Sequence, residues 1–348
     1  MTYFLDNVER TAGYEPGFQP QGSDVIKLNT NENPYPPSPQ VLEAIRNLPA
    51  ERLRKYPPPL GDGFRTAASQ VLGVASDWIL CTNGGDELLS ICIRAFCDTS
   101  HPVAYPNPTY SLYPVLARLQ NCPVTELSFD DPKVLDQLAK TQAALTIVCN
   151  PNAPTGQLIA AEKLGKLAGK LKGVLLIDEA YVDFSAASCL PLVTEHDNVI
   201  LLRSMSKGYS LAGIRFGFGI AQPAMIDGLL KVKDSYNVDA MAIEAATAAI
   251  RDQPYHRVCV DKVKTERTRL TDELRKLGFE VADSESNFVL ARSVKMPAKD
   301  IYRALADRNI FVRYFALPGL EDKMRISIGT PEQDNRLLEA LRAILAAK

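Results

Sequence analysis

V-I-L-L-R-S-M-S-K-G-Y-S-L-A-G-I-R-F-G, Val199 to Gly217, opens on an apolar run and then changes character. The run Asn198 to Arg203 reads as a strand buried on both faces, because β-branched and leucine side chains follow one another without a polar break. Beyond it a lysine, Lys207, stands among hydroxyl residues, Ser204, Ser206 and Ser210, with small residues around it and Arg215 eight positions on. A lysine after a strand is ordinarily a solvated surface cation. Hydroxyls and a guanidinium suit a phosphate, however, and an amine in a dry pocket suits Schiff-base chemistry.

Working outward, short apolar runs alternate with helical ones. Glu87 to Phe96 reads as helix, Pro102 to Tyr105 as strand, Leu112 to Leu119 as helix, Leu145 to Cys149 as strand, Ala160 to Leu171 as helix and Val174 to Asp178 as strand. That alternation implies βαβ units and an α/β fold with a mostly parallel sheet sandwiched by helices. Turn-rich stretches at Asn33 to Pro39 and Tyr56 to Gly63 make the first sixty residues read as arm and loop. After a long helical run from Gln253 to Leu277 come strand-like Phe288 to Leu290, helix Lys299 to Asp307, strands Ile310 to Val312 and Met324 to Ile328, and a helix to Lys348. The expected division is an arm over 1–27, a large domain over 28–250 and a smaller α+β C-terminal domain over 251–348.

Composition removes several classes. With 39 Lys and Arg against 41 Asp and Glu, there is no basic excess to draw a nucleic acid or an anionic membrane. No apolar run approaches the length of a membrane span, and the start lacks the pattern of a secretory leader. Seven scattered cysteines without a C-x-x-C pair read as buried thiols of a reducing compartment, so a cytoplasmic protein is expected. The three histidines stand apart from one another and from the cysteines, so no histidine-rich metal site is expected and no metal is assigned.

Ligands of parallel α/β sheets bind beyond the carboxyl ends of the strands. Three further polar clusters lie there. Thr82-Asn83-Gly84-Gly85-Asp86-Glu87 leads into a helix whose free N–H groups attract a phosphate, although Asp86 also reads as a helix cap. Asn150-Pro151-Asn152-Ala153-Pro154-Thr155-Gly156 reads by itself as a turn. Asp178-Glu179-Ala180-Tyr181 sets a carboxylate at a strand end with a phenol three residues on.

Taken in order, these motifs resemble those of the fold-type I pyridoxal-phosphate enzymes, and within them the class II aminotransferases. The lysine segment is similar to the family's T-x-S-K-x-x-x-L-A-G-x-R-x-G, with Ser204 where Thr is usual. The likeness runs from L-N-T-N-E-N-P-Y (Leu28 to Tyr35) through K-Y-P (Lys55 to Pro57), N-G-G-D-E, P-T-Y (Pro108 to Tyr110), N-P-N-A-P-T-G and D-E-A-Y to M-R-I-S-I-G-T (Met324 to Thr330). The opening motif and K-Y-P point toward the histidinol-phosphate aminotransferases. Two neighbouring readings are a decarboxylase of a phosphorylated amino acid, similar to threonine-phosphate decarboxylase, and an aromatic amino acid aminotransferase. A nicotinamide dehydrogenase is demoted, since no G-x-G-x-x-G follows an early strand.

The resemblance implies a seven-stranded sheet, bound pyridoxal 5'-phosphate, an amino donor and a 2-oxo acid as substrates, and a homodimer. It implies that Lys207 forms the aldimine with the cofactor and carries the proton in a ping-pong reaction, that Asp178 pairs with the ring nitrogen, and that Tyr181 bonds the phenolic oxygen. Gly84, Gly85, Asp86, Ser204, Ser206 and Arg215 would anchor the phosphate and Tyr110 would stack on the ring. Tyr56 would reach the cofactor phosphate of the other subunit, and Tyr14 on the arm would help cover the partner's site. Arg325, whose alternative is a structural ion pair, and Arg313, whose alternative is a solvated cation, would bind substrate anions together with Asn31. One departure stands at Ala153, where the family carries an Asn that bonds the phenolic oxygen; Asn152 is expected to substitute.

Overall fold

The computed structural model describes residues 3–22 and 24–347. Its strands in chain order are β1 (Ile26–Lys27), β2 (Ile79–Thr82), β3 (Val103–Asn107), β4 (Val124–Ser128), β5 (Leu145–Cys149), β6 (Val174–Asp178), β7 (Val199–Ser204), β8 (Gly217–Ile220), β9 (Phe279–Val281), β10 (Phe288–Ser293), β11 (Ile310–Phe311), β12 (Arg313–Tyr314) and β13 (Lys323–Ser327). Seven of them make one sheet in the order β2-β8-β7-β6-β5-β3-β4, in which β8 alone runs against its neighbours. The expected mostly parallel sheet is therefore present, with seven strands.

Position in the sheet follows from side-chain character. Every residue of β5 and β6 is buried, as continuous apolar runs covered on both faces must be, whereas β4 at the edge alternates exposed and half-buried. Alternate residues of β6 feed opposite cores. Val174 and Leu176 pack with the helix Gly84–Phe96, while Leu175 and Ile177 pack on the face covered by the helices Asp62–Leu72 and Ala240–Arg251. Because the parallel strands share a direction, the ends of β2, β3, β5, β6 and β7 all emerge along one sheet edge.

A second, antiparallel sheet in the order β12-β13-β10-β9 packs against the helices Gln253–Lys276, Ala298–Ala306 and Pro331–Ala346 around a third core. Ile26 and Leu28 belong to that third core, and β1 pairs in parallel with β11, so the chain touches the small-domain core before it enters the large sheet.

Three expectations need correction. The first sixty residues are not only arm and loop: Pro39 starts the helix Pro39–Arg46, with Ser38 accepting from Gln40 N at its N-cap. Proline at the first helical position removes a donor that has no partner there, so it opens this helix instead of breaking it. The single strand expected over Ile310 to Val312 is two short ones in different sheets, because Ile310 pairs with Ile26 while Arg313 pairs with Arg325. The last helix ends at Ala346, and Lys348 lies outside the described residues. No helix of the described residues is long and apolar enough to cross a membrane.

Candidate active site

Lys207 sits just past β7, in a turn pinned by Met205 N to Phe216 O (3.0 Å) and Leu211 N to Met205 O (3.0 Å). Its amine donates to the carbonyl of Thr30 at 3.0 Å. Burial lowers its pKa to about 8, an effect that nearby Glu32 opposes and Arg325 and Arg215 reinforce. A lysine so placed is a usable nucleophile near neutrality. Asn33 holds the turn, its side-chain amide donating to the carbonyls of Lys207 and Gly208, each at 3.2 Å. A Cβ on Gly208 would meet Asp183 Oδ2 at 2.2 Å, so only glycine fits after the lysine.

Asp178 ends β6 and is buried. Its Oδ2 accepts from Tyr113 Oη at 2.6 Å and its Oδ1 from Ala180 N at 3.1 Å. Burial raises its pKa to about 6, against those two hydrogen bonds. Among the described residues no cation pairs with it, so the carboxylate is held ready for a positively charged partner. Tyr113 in turn packs edge-on against Tyr110, ring centroids 5.7 Å apart.

At the other end, Gly84 and Gly85 open the helix Gly84–Phe96. Cβ atoms there would meet Arg215 Nη2 at 2.8 Å and Leu202 Cδ2 at 2.9 Å, and one on Gly217 would meet Gly84 C at 2.7 Å. Three glycines thus let a helix N-terminus, a guanidinium and β8 converge. Arg215 takes a left-handed backbone (φ 56°) and donates to Ser206 Oγ (3.3 Å) and Ala212 O (3.2 Å), with Asp86 Oδ2 3.3 Å away. Ser206 N donates to Ser204 Oγ at 3.2 Å, and Tyr110 Oη donates to Asp86 Oδ1 at 3.1 Å. Free N–H groups, hydroxyls and a guanidinium in one cradle are the donor set of a phosphate site.

Arg325 on β13 faces Arg313 on β12 across the antiparallel pair. No ion pair reaches either of them among the described residues, so the structural-ion-pair alternative for Arg325 does not hold. Its Nη2 donates to Asn29 O at 3.1 Å, while Nε is buried without any partner. Its guanidinium lies over Phe288 and Phe315, 5.2 and 5.5 Å from the ring centroids, and burial lowers its pKa. Arg313 is half-buried and lies 5.4 Å from the Phe315 centroid. Tyr181 accepts from Asn31 Nδ2 at 3.0 Å, and burial pushes its pKa up to about 12.

Three assignments come out differently or apart. Asn152 has both of its amide hydrogens engaged by protein groups: it donates to Thr155 Oγ1 (3.0 Å) within the turn and to Pro108 O (3.1 Å) in the distant Pro108 to Tyr110 segment. Tyr14 packs edge-on against Tyr110 of its own chain, centroids 5.8 Å apart, so the arm folds over its own site. Tyr56 stands away from the cluster, four-fifths exposed and stacked on Tyr236 at 4.4 Å. Sequence reasoning missed Tyr113 under Asp178, and the roles of Thr30 and Asn33 in holding Lys207. The signal for the last two was in the L-N-T-N-E-N-P motif; Tyr113 carries none, since a tyrosine in an apolar helix reads as core.

Along nearly its whole length the chain is similar to known proteins. Residues 23–341 match the family of class I and II aminotransferases, and the chain belongs to that family. It is 51% identical over 349 residues to histidinol-phosphate aminotransferase 1 of Nostoc sp., covering 99% of each chain. Its fold is that of histidinol-phosphate aminotransferase from Sinorhizobium meliloti, solved in complex with pyridoxal-5'-phosphate (TM-score 0.89, 24% identity, 100% of this chain and 98% of that one). The same fold serves L-threonine-O-3-phosphate decarboxylase from Porphyromonas gingivalis (TM-score 0.82, 22% identity, 92% of this chain and 100% of that one).

Proposed function

We propose that this protein is a pyridoxal-phosphate-dependent aminotransferase that takes the amino group of histidinol phosphate and passes it to 2-oxoglutarate, giving imidazole acetol phosphate and glutamate, a step of histidine biosynthesis. The observation that carries the reading is a half-buried lysine of lowered pKa, at the strand ends that also carry a buried carboxylate, Asp178, with a guanidinium nearby whose Nε is buried unpaired, Arg325; neither of the last two has a counter-charge among the described residues. Those residues fit the cofactor. The glycine-lined cradle suits its phosphate, Asp178 its ring nitrogen and Tyr110 its ring face. When bound, pyridoxal phosphate supplies an aldehyde for amines and a ring that accepts the electron pair released at the substrate α-carbon.

The rest falls to the protein. Asp178 holds a proton on the ring nitrogen, Arg215, Ser204 and Ser206 fix the phosphate, and the Lys207 amine carries the proton at the α-carbon. Arg325, with Nε free, grips the glutamate carboxylate in one half-reaction and the substrate phosphate in the other, with Arg313 beside it. Phosphorylated and dicarboxylate substrates both demand such a cation.

A homodimer belongs to the proposal, with the exposed Tyr56 turned to the partner's cofactor phosphate; sedimentation of an active monomer would refute that part. The seven cysteines are free and buried, the state a reducing cytoplasm maintains. The function is tested by product mass after incubation of the loaded enzyme with histidinol phosphate and 2-oxoglutarate. The keto product with glutamate is expected; release of CO2, or no conversion, would overturn the reading.

A further inference from the structure

The hydrogen bonds around Asn31 give its side-chain amide a direction. Its backbone N–H can only donate, and it donates to Ser327 Oγ at 2.9 Å. The Ser327 hydroxyl hydrogen is then free for Asn31 Oδ1, also 2.9 Å away. With Oδ1 accepting from Ser327, the NH2 end of the amide faces Tyr181 Oη at 3.0 Å. Tyr181 therefore accepts from Asn31, and its own hydrogen has to go elsewhere. Among the described residues nothing accepts it.

The rest of the surroundings keep Asn31 in place. It is fully buried, its carbonyl accepts from Asn287 Nδ2 at 2.9 Å, and its backbone is left-handed (φ 58°), which asparagine tolerates better than most residues. Ser327 lies two residues from Arg325 on β13, and successive even steps along a strand share a face. The amide of Asn152, the other candidate donor nearby, is spent on Pro108 and Thr155.

We propose that Asn31 is a positioning residue rather than a substrate ligand: by donating to Tyr181 it turns the phenol into a one-way donor aimed into the site, and through Ser327 it ties that phenol to the strand carrying Arg325. Resting on the reading that the site holds pyridoxal phosphate, the acceptor of the Tyr181 hydrogen is the cofactor's phenolic oxygen. Asn31 thereby supplies, at one remove, the amide contribution that Ala153 does not make.

Two substitutions separate this role from a structural one. Asn31→Gly keeps the left-handed backbone and its N–H to Ser327 while deleting the amide. Asn31→Asp keeps the shape but replaces the donor by an acceptor, so Tyr181 would donate to the new carboxylate and be lost to the cofactor. The readout is the pH midpoint of the bound cofactor's visible absorbance. A donor on the phenolic oxygen eases loss of the neighbouring imine proton, so weakening it raises the midpoint. The expected rise is roughly half to one pH unit for Asn31→Gly, and for Asn31→Asp at least that of Tyr181→Phe, about one unit or more. Adding Asn31→Gly to Tyr181→Phe should shift nothing further. An unmoved midpoint in both Asn31 variants with cofactor bound on Lys207, or additive shifts in the double variant, would overturn the proposal. Failure of the unmodified protein to take up cofactor on Lys207 would instead overturn the reading beneath it.

Discussion

Two layers of buried charge meet where β6 and β7 end, and they are built in opposite ways. Glu179 and Arg203 are finished: Arg203 Nε reaches Glu179 Oε2 at 2.7 Å, its Nη2 donates to Ser188 Oγ at 2.8 Å, and Glu179 Oε1 accepts from Cys189 N at 2.5 Å. Burial alone would lower the Arg203 pKa, yet Glu179 and Asp183 outweigh it and the pKa is raised. Asp178, the preceding residue, and Arg325 across the site have no such partner, and burial shifts each away from its charged form. A paired buried charge holds the fold; a buried charge left alone costs stability and persists where a ligand completes it.

The contrast is broken or sharpened first at Asp178. Asp178→Asn should lower kcat by roughly 1,000-fold or more, because an amide cannot keep the ring nitrogen protonated, while unfolding in urea stays as stable as before or gains. Marked destabilisation with normal turnover would put Asp178 in the structural layer instead. Next, Arg203→Met should strand Glu179 and cost about 3–5 kcal/mol of unfolding free energy, read from urea curves. A loss below about 1 kcal/mol would deny that the pair is structural.

Lys207 adds a pH test. With its pKa at about 8, the amine is mostly protonated below that value, so the rate of cofactor capture by the apoprotein should rise about tenfold per pH unit and level off above about 8. In the same apoprotein the unfolded chain keeps this proton up to about 10.5, so stability should rise with pH between the two values. A capture rate flat from pH 6 to 9 would contradict the lowered pKa. The smallest effect belongs to Asn152→Ala. Loss of its hydrogen bonds to Pro108 and Thr155 should cost about 1–2 kcal/mol in melting experiments, with kcat within about twofold of the parent. A large fall in kcat would return Asn152 to the cofactor.

Much of this was legible in the sequence, for identifiable reasons. Leu145 to Cys149 and Val174 to Asp178 were readable to the residue because unbroken apolar runs flanked by turn residues leave little choice of boundary. The places of Lys207, Asp178, Arg215 and the Gly84-Gly85 turn were readable because parallel strands deliver their ends to one edge, whereas the roles expected of them came from the family resemblance and not from the strand pattern. The short segments Ile310–Phe311 and Arg313–Tyr314 were not, since which sheet a two-residue strand joins depends on distant partners. The direction of Asn152 was also hidden: its fate was decided by Pro108 O, 44 residues away. Likewise, the service of Asn31 to Tyr181 depends on Ser327, almost the whole chain distant.

The central claim is that Arg325, unpaired in the fold, is completed by the anions of both substrates. It is tested most directly by single-turnover rates of each half-reaction, one started with histidinol phosphate and the other with glutamate, in Arg325→Ala. The account predicts a loss of roughly 100-fold or more in kcat/KM for both, partly recovered by Arg325→Lys, because a point charge cannot reproduce the forked hydrogen bonds. Both half-reactions left intact, or a loss confined to one, would contradict it.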